Sequence, residues 1–182
     1  MIRRSHEGDL ALMHTIINDA AIAYRGVIPD DCWHDPYMPV EELASEIAKG
    51  IEFWALEEDG GILGVMGIQD RGDVALVRHA YVVPNLQRKG VGTKLLRHVQ
   101  GLVDKPVLIG TWAAASWAIN FYRRNGFTVV SERDKDRLLK KYWSISTRQI
   151  ETSVVLADEL WRQRTNHAAI VTPGLADSEP SR

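Results

Sequence analysis

The sequence predicts a mixed α/β or α+β domain, and three observations carry that reading. A strand–helix–strand run between residues 74 and 112 makes a βαβ unit, a hairpin before it supplies antiparallel strands, and amphipathic helices recur between strands. With 182 residues, 45% of them hydrophobic, the chain is long enough for one domain with a substantial core and little beyond it. That domain is expected over residues 1–160. The polar stretch 161–182, with Pro173, Gly174 and Pro180, is expected to be a poorly ordered tail.

Each element has its own signal. Leu10, Met13, Ile17 and Ala20 recur at helical spacing, so residues 9–23 read as an amphipathic helix that ends before Gly26 and Pro29. Residues 26–40 contain Pro29, Pro36 and Pro39 beside Trp33 and Tyr37, and read as an irregular, partly buried segment. Residues 41–49 read as a short helix closed by a left-handed cap at Gly50. Strands at 52–57 and 62–68 flank Asp59-Gly60-Gly61, which has hairpin-turn chemistry. A second turn at Asp70-Arg71-Gly72-Asp73 leads into a strand over 74–83 that stops at Pro84. Val91, Leu95, Val99 and Leu102 then mark a helix, and a strand follows Pro106 over 107–112. These last two strands are expected to be parallel, joined by a right-handed crossover. Further on, a helix over 115–124 stops at Asn125-Gly126, a strand covers 127–130, a helix covers 134–143, and the β-branched run 149–156 reads as the last strand.

Composition excludes several classes of function. A net charge of −2 gives no overall electrostatic case for a nucleic-acid partner. No apolar run approaches the roughly 18 residues that span a bilayer, so no membrane partner is expected. Residues 1–7 are followed by no apolar stretch, so no signal peptide is expected and the chain reads as cytoplasmic. A lone cysteine, Cys32, excludes an intrachain disulfide and a cysteine-rich zinc site, and it has no activating partner nearby in sequence. His34 beside Trp33 and Asp35 lacks metal-ligand spacing, so no metal is expected.

The most informative stretch joins the strand ending Val82-Val83-Pro84 to the next helix through Gln87-Arg88-Lys89-Gly90-Val91-Gly92-Thr93. Two glycines let the backbone approach a ligand closely, and the helix N-terminus offers unpaired amides with about half a positive charge. Arg88, Lys89 and Lys94 add positive charge, so the turn suits a phosphate or pyrophosphate. It is neither of two common phosphate motifs. The Walker glycine is absent, and Leu95 stands where the dinucleotide fingerprint puts its third glycine. A glycine-bearing turn with no ligand is the alternative reading of the two glycines alone.

The string 87–92 resembles the Gln/Arg-x-x-Gly-x-Gly/Ala acetyl-CoA signature of the GNAT superfamily of N-acetyltransferases. Asn120-Phe121-Tyr122-Arg123-Arg124-Asn125-Gly126-Phe127 resembles the family's next signature. The two stand in the family's order, and the resemblance covers residues 1–157. Tyr24-Arg25-Gly26-Val27-Ile28-Pro29 and residues 148–156 are also similar to a recurring bacterial subset of the family. The resemblance implies a mainly antiparallel sheet of about seven strands with a splayed parallel pair, flanked by helices on both faces.

It also implies acetyl transfer from acetyl-CoA to an amine, by direct attack in a ternary complex. Residues 87–93 would hold the pyrophosphate, Val82 and Val83 would pair with the pantetheine arm as an added strand, and Asn120 would contact the cofactor. A backbone N–H near Val82 would stabilise the developing oxyanion. Tyr122 matches the family's general acid, a role that suits a phenol with a pKa near ~10; a core aromatic beside Ala118 and Phe121 is the alternative. Many members carry a glutamate base on the strand before the loop, but 76–80 here reads Leu-Val-Arg-His-Ala, with no carboxylate. His79 has a suitable pKa for the base, and a histidine packed in the core is the equal alternative. Strand alternation sets Arg78 and His79 on opposite faces, and an Arg78 facing the cleft suggests an acceptor bearing a carboxylate.

Tyr24, Arg25, Trp33, His34 and Tyr37 read either as an aromatic pocket for a small amine or as packing for the irregular segment. Trp143, Trp161 and Val154-Val155-Leu156 suit either a homodimer contact or the closing of a single chain's sheet. The expected function is transfer of an acetyl group to a small-molecule amine. A protein amine as acceptor, and an acyl-CoA-binding regulatory module without turnover, are the alternatives.

Overall fold

The sheet of the computed structural model, which describes residues 1–171, has seven strands: β1 (Ile2–Arg4), β2 (Ile51–Glu58), β3 (Gly61–Asp70), β4 (Ala75–Val82), β5 (Val107–Trp112), β6 (Thr128–Val129) and β7 (Ser153–Ala157). Their order is β1-β2-β3-β4-β5-β7-β6, and every neighbouring pair is antiparallel except β4 with β5. The helices are α1 (Leu10–Ala21), α2 (Val40–Ala48), α3 (Val91–Gln100), α4 (Ser116–Arg124), α5 (Glu132–Tyr142), α6 (Thr147–Glu151) and α7 (Glu159–Val171).

Strand alternation divides the core between the two faces of the sheet. On one face Ala75, Val77 and Ile109 meet α3 through Val91, Leu95, Leu96 and Val99, with Tyr122 of α4 beside them. On the other, Leu76 and Leu108 meet Leu138, Leu139 and Tyr142 of α5, while Met13, Ile16 and Ile17 of α1 and Leu43 of α2 cover β2 and β3. Burying each such aliphatic side chain contributes roughly 1.5–3 kcal/mol, so helices are pinned on both faces.

The parallel pair is short. β4 and β5 are in register only at Ala75↔Val107, Leu76↔Leu108 and Val77↔Ile109. Beyond Val77, β4 continues against β3 and β5 continues against β7, so the two strands part. A β-bulge sharpens the departure: Gly67 faces Arg78 and Val65 faces Tyr81, leaving Met66 opposite both His79 and Ala80. His79 takes φ +50°, a left-handed conformation that costs a non-glycine residue about 1–2 kcal/mol.

Three elements differ from their sequence reading. β1 is a three-residue edge strand too short to carry a periodic signal. Residues 149–151, read as strand, belong to α6, because Ser146 and Gln149 form a reciprocal capping box that starts a helix there. The segment 161–171, read as tail, lies in α7: the Asp158 carboxylate accepts from the amide of Trp161 (3.0 Å) and from that of Val107 (2.9 Å), so it caps the helix and ties it to β5. The rest of the expected tail, 172–182, lies outside the described residues. Val155 and Leu156 are buried inside the sheet, and Trp143 and Trp161 pack on the α5 side of the core.

Candidate functional site

The loop between β4 and α3 is made of backbone. A 3-10 turn at Pro84–Leu86 ends the strand, and then Arg88 (φ +64°) and Gly90 (φ +85°) are both left-handed. Gly90 occupies the N-cap of α3 with no side chain capping the helix, and Lys94 is the first amide bonded back to it (3.0 Å). The amides of residues 88–93 have no backbone partner among the described residues, so their dipoles face outward together. The two glycines serve different needs. A Cβ on Gly90 meets open space, so that position needs glycine for its φ, whereas a Cβ on Gly92 would stand 3.2 Å from Cζ of Phe121. Gly92 lets α3 approach α4.

The parting of β4 and β5 opens a cavity of about 280 Å³. Val77 to Tyr81 form one wall, Gly110, Thr111 and Trp112 the other, and Tyr24, Tyr37 and Tyr122 also line it. Val83 donates to Leu63 of β3 (3.0 Å), so by alternation the amide of Val82 points the other way, into the gap. Gln87 Nε2 reaches the Val82 carbonyl at 3.4 Å. Trp112 Nε1 donates to the Tyr37 hydroxyl (3.0 Å), which ties the irregular segment to β5. Tyr37 also stacks near Tyr24, Trp33 and His34, with ring centroids 5.4–6.1 Å away. Burial raises the pKa of Tyr24, Tyr37, Tyr81 and Tyr122, so all four phenols hold their protons at neutral pH. Burial also raises the Cys32 thiol, which keeps it a poor nucleophile although it lines the cavity.

Alternation predicted Arg78 and His79 on opposite faces, but the bulge turns both toward Glu46 of α2. Arg78 Nη2 donates to Glu46 Oε2 at 2.6 Å, and His79 Nε2 stands 3.2 Å from the same oxygen. Lys49 donates to Glu46 Oε1 (3.2 Å), and Arg78 Nη1 donates to Gln69 (3.1 Å). The hydrogen bond from His79, with Arg78 beside it, holds the Glu46 carboxyl down at about 2. An ionised carboxylate only accepts, so Nε2 of His79 carries the proton in this contact. Burial lowers the His79 pKa, which keeps the ring neutral. Two expectations change here. The carboxylate missing from the strand comes from α2, and the carboxylate that Arg78 meets is Glu46 rather than one on an acceptor.

The structure thus brings His79 and Tyr122 to one cavity, and Val82 and the loop 87–93 follow in sequence directly after its β4 wall, which ends at Tyr81. Asn120 lies on the exposed side of α4, away from the cavity lining. Glu46 was missed by the sequence reading, and no local signal marks it. A broader depression of about 500 Å³ adjoins Trp112, but its cation, Arg148, is already paired with Asp31 (3.0 Å), and it holds no phenol or imidazole. The smaller cavity is the one that holds both an imidazole and phenols. Among the described residues no helix is long and apolar enough to cross a membrane.

Comparison with known proteins agrees with this geometry. A family model described as an acetyltransferase (GNAT) domain matches residues 49–129, the span from β2 to β6 that contains the loop, the bulge and α4. The peptidyl-lysine N-acetyltransferase YiaC of Escherichia coli is 25% identical over 152 residues, covering 84% of this chain and 99% of YiaC. The fold is that of the PaiA N-acetyltransferase of Thermoplasma acidophilum, solved with coenzyme A (TM-score 0.66, 18% identity, 87% of this chain and 97% of that one). It is also that of the ribosomal-protein-S18-alanine N-acetyltransferase of E. coli (TM-score 0.62, 18% identity, 88% and 93%). With the splayed pair, the bulge and the glycine loop all in place, these comparisons support a GNAT superfamily acetyltransferase.

Proposed function

We propose that this acetyltransferase moves the acetyl group of acetyl-CoA to the primary amine of a small molecule, with Tyr122 as general acid and His79 as general base. The observation that carries the reading is the gap between β4 and β5, whose lining includes both a neutral imidazole and a protonated phenol. The donor fits the chain's own groups. Unpartnered amides at 88–93, with Arg88 and Lys89, suit its pyrophosphate, and the amide of Val82 suits its pantetheine arm, whereas Val83 is already bonded through its amide to Leu63 and through its carbonyl to Leu86. Asn120 is assigned to the donor by its place in the family pattern.

The donor supplies an acetyl thioester. His79 takes a proton from the acceptor's ammonium, whose pKa near ~10.4 otherwise leaves it without a lone pair at pH 7. The Val82 amide faces the negative charge that develops on the thioester oxygen. Tyr122 gives its proton to the departing sulfur, and burial keeps that proton in place until then. Acceptor size follows from the walls: the aromatic segment around Tyr24 and Tyr37 covers a cavity of about 280 Å³, at the small end of ligand sites.

One observation favours a second reading, acetylation of a peptidyl lysine: the E. coli relative carries that activity in its name. A panel of small primary amines and a lysine-containing peptide, followed by release of free thiol from acetyl-CoA, separates the two. Saturable release with a small amine supports the proposal; release with the peptide alone replaces it.

A further inference from the structure

Glu46 is the acidic residue nearest the proposed base, it comes from a different element, and nothing in the reaction as described above uses it. Its side chain is only 12% exposed, and its carboxylate takes three contacts, with Arg78 and His79 on Oε2 and Lys49 on Oε1. A carboxylate bonded to three cationic or N–H donors, and held at a pKa of about 2, is itself a poor proton acceptor. It is well suited to orient the ring beside it. With Nε2–H of His79 directed at Glu46, the lone pair lies on Nδ1, which has no hydrogen-bond partner among the described residues and is not among the side-chain nitrogens sealed from solvent. Phe53 stacks on the same ring at 5.9 Å and limits its tilt.

We propose that Glu46, delivered from α2 to the bulge in β4, is the positioning residue of the acyl transfer: it fixes His79 in the Nε2–H tautomer and leaves Nδ1 to take the acceptor's proton. This rests on the acetyltransfer reading above. The arrangement replaces a carboxylate on the strand with an imidazole on the strand and a carboxylate behind it. The proton accounting is closed. The acceptor's N–H bond breaks and Nδ1 gains the proton; the freed lone pair forms the C–N bond as the C–S bond breaks. The sulfur takes the Tyr122 proton, the new amide nitrogen loses one proton that restores the phenol, and His79 returns its proton to water. The charged groups that act on His79 are Glu46 and Glu42 from α2 and Arg78 from its own strand; Gln69 of β3, bonded to Arg78, is uncharged.

The test uses the full chain, with and without Glu46→Gln, and Glu46→Asp as the conservative control. Long-range ¹⁵N NMR of the His79 ring, which needs no acceptor, is expected to show a protonated Nε2 and a bare Nδ1 in the wild type. Glu46→Gln is expected to give mixed tautomers, and Glu46→Asp to keep most of the wild-type signature. A wild type with Nδ1 protonated, or a Glu46→Gln variant with an unchanged tautomer, overturns the proposal. If Glu46→Gln does not fold, the wild-type and Glu46→Asp spectra decide it. With an acceptor in hand, Glu46→Gln is expected to lower kcat about tenfold or more and to move the acid limb of kcat/KM to lower pH, because the imidazolium loses its carboxylate. A fall in activity with an unmoved limb marks a merely structural role and also overturns it. Absence of thiol release by the wild type with every amine strikes the functional reading instead, and leaves the NMR result to decide the tautomer.

Discussion

Residues 87–93 and the cavity between β4 and β5 adjoin each other, yet they are built from different material. The loop is contiguous in sequence, exposed over 87–90, and presents backbone amides that two left-handed residues turn outward. The cavity is drawn from elements far apart in sequence, among them α2, β4, β5, α4, α5 and the irregular segment, and it presents side chains whose protonation is set by burial and by one another. The difference predicts a division of labour: changes in the loop should alter donor affinity, and changes in the cavity should alter turnover.

The largest effect is expected at Tyr122. Its hydroxyl donates no hydrogen bond to the protein among the described residues, so Tyr122→Phe should leave stability within about 0.5 kcal/mol of wild type. Turnover should fall about 10²- to 10⁴-fold while the acetyl-CoA dissociation constant stays within about twofold, read by thiol-release kinetics and calorimetry. Next comes the acid limb of stability. Glu46 has a folded pKa of about 2 against an ordinary 4.5, a depressed value, so its contribution is present above 4.5 and is lost as pH falls through 2. Its size is on the order of 2–3 kcal/mol, and His79 works in the same sense, because its folded pKa is also depressed and the unfolded chain protonates first. Denaturant titrations at stepped pH should show Glu46→Gln with a flatter decline below pH 4.5 than wild type.

A smaller effect is expected in the loop. The double change Arg88→Ala with Lys89→Ala should weaken acetyl-CoA binding about tenfold at low salt and less at high salt, with kcat unchanged. Smallest are the two glycines, each near about 1 kcal/mol in a thermal melt, and they sharpen the comparison because their causes differ. Gly92→Ala presses on Phe121 and should be relieved by Phe121→Leu. Gly90→Ala meets no neighbour and suffers only from its φ of +85°, so Phe121→Leu should not relieve it.

The same contrast explains what the sequence alone reveals. The βαβ unit, the hairpin and the glycine loop are local, each specified by neighbours a few residues apart, and they lie where the pattern puts them. Glu46 and His79 are 33 residues apart and meet only because α2 packs over the bulge, so periodicity says nothing of their contact. The bulge itself broke the alternation argument for Arg78 and His79. Its faint trace in the sequence is glycine inside a strand, at Gly64 and Gly67 opposite the irregular stretch of β4. Ser146 with Gln149, and Asp158 before α7, were legible capping signals that β-branched residues and a polar tail outweighed.

The measurement that bears most directly on the division of labour is a calorimetric titration of acetyl-CoA into wild type and Tyr122→Phe, with thiol release followed on the same samples. Equal binding in the two proteins, with release lost only in the variant, is the predicted result. Loss of binding in Tyr122→Phe, or binding and release both unchanged, would contradict the account.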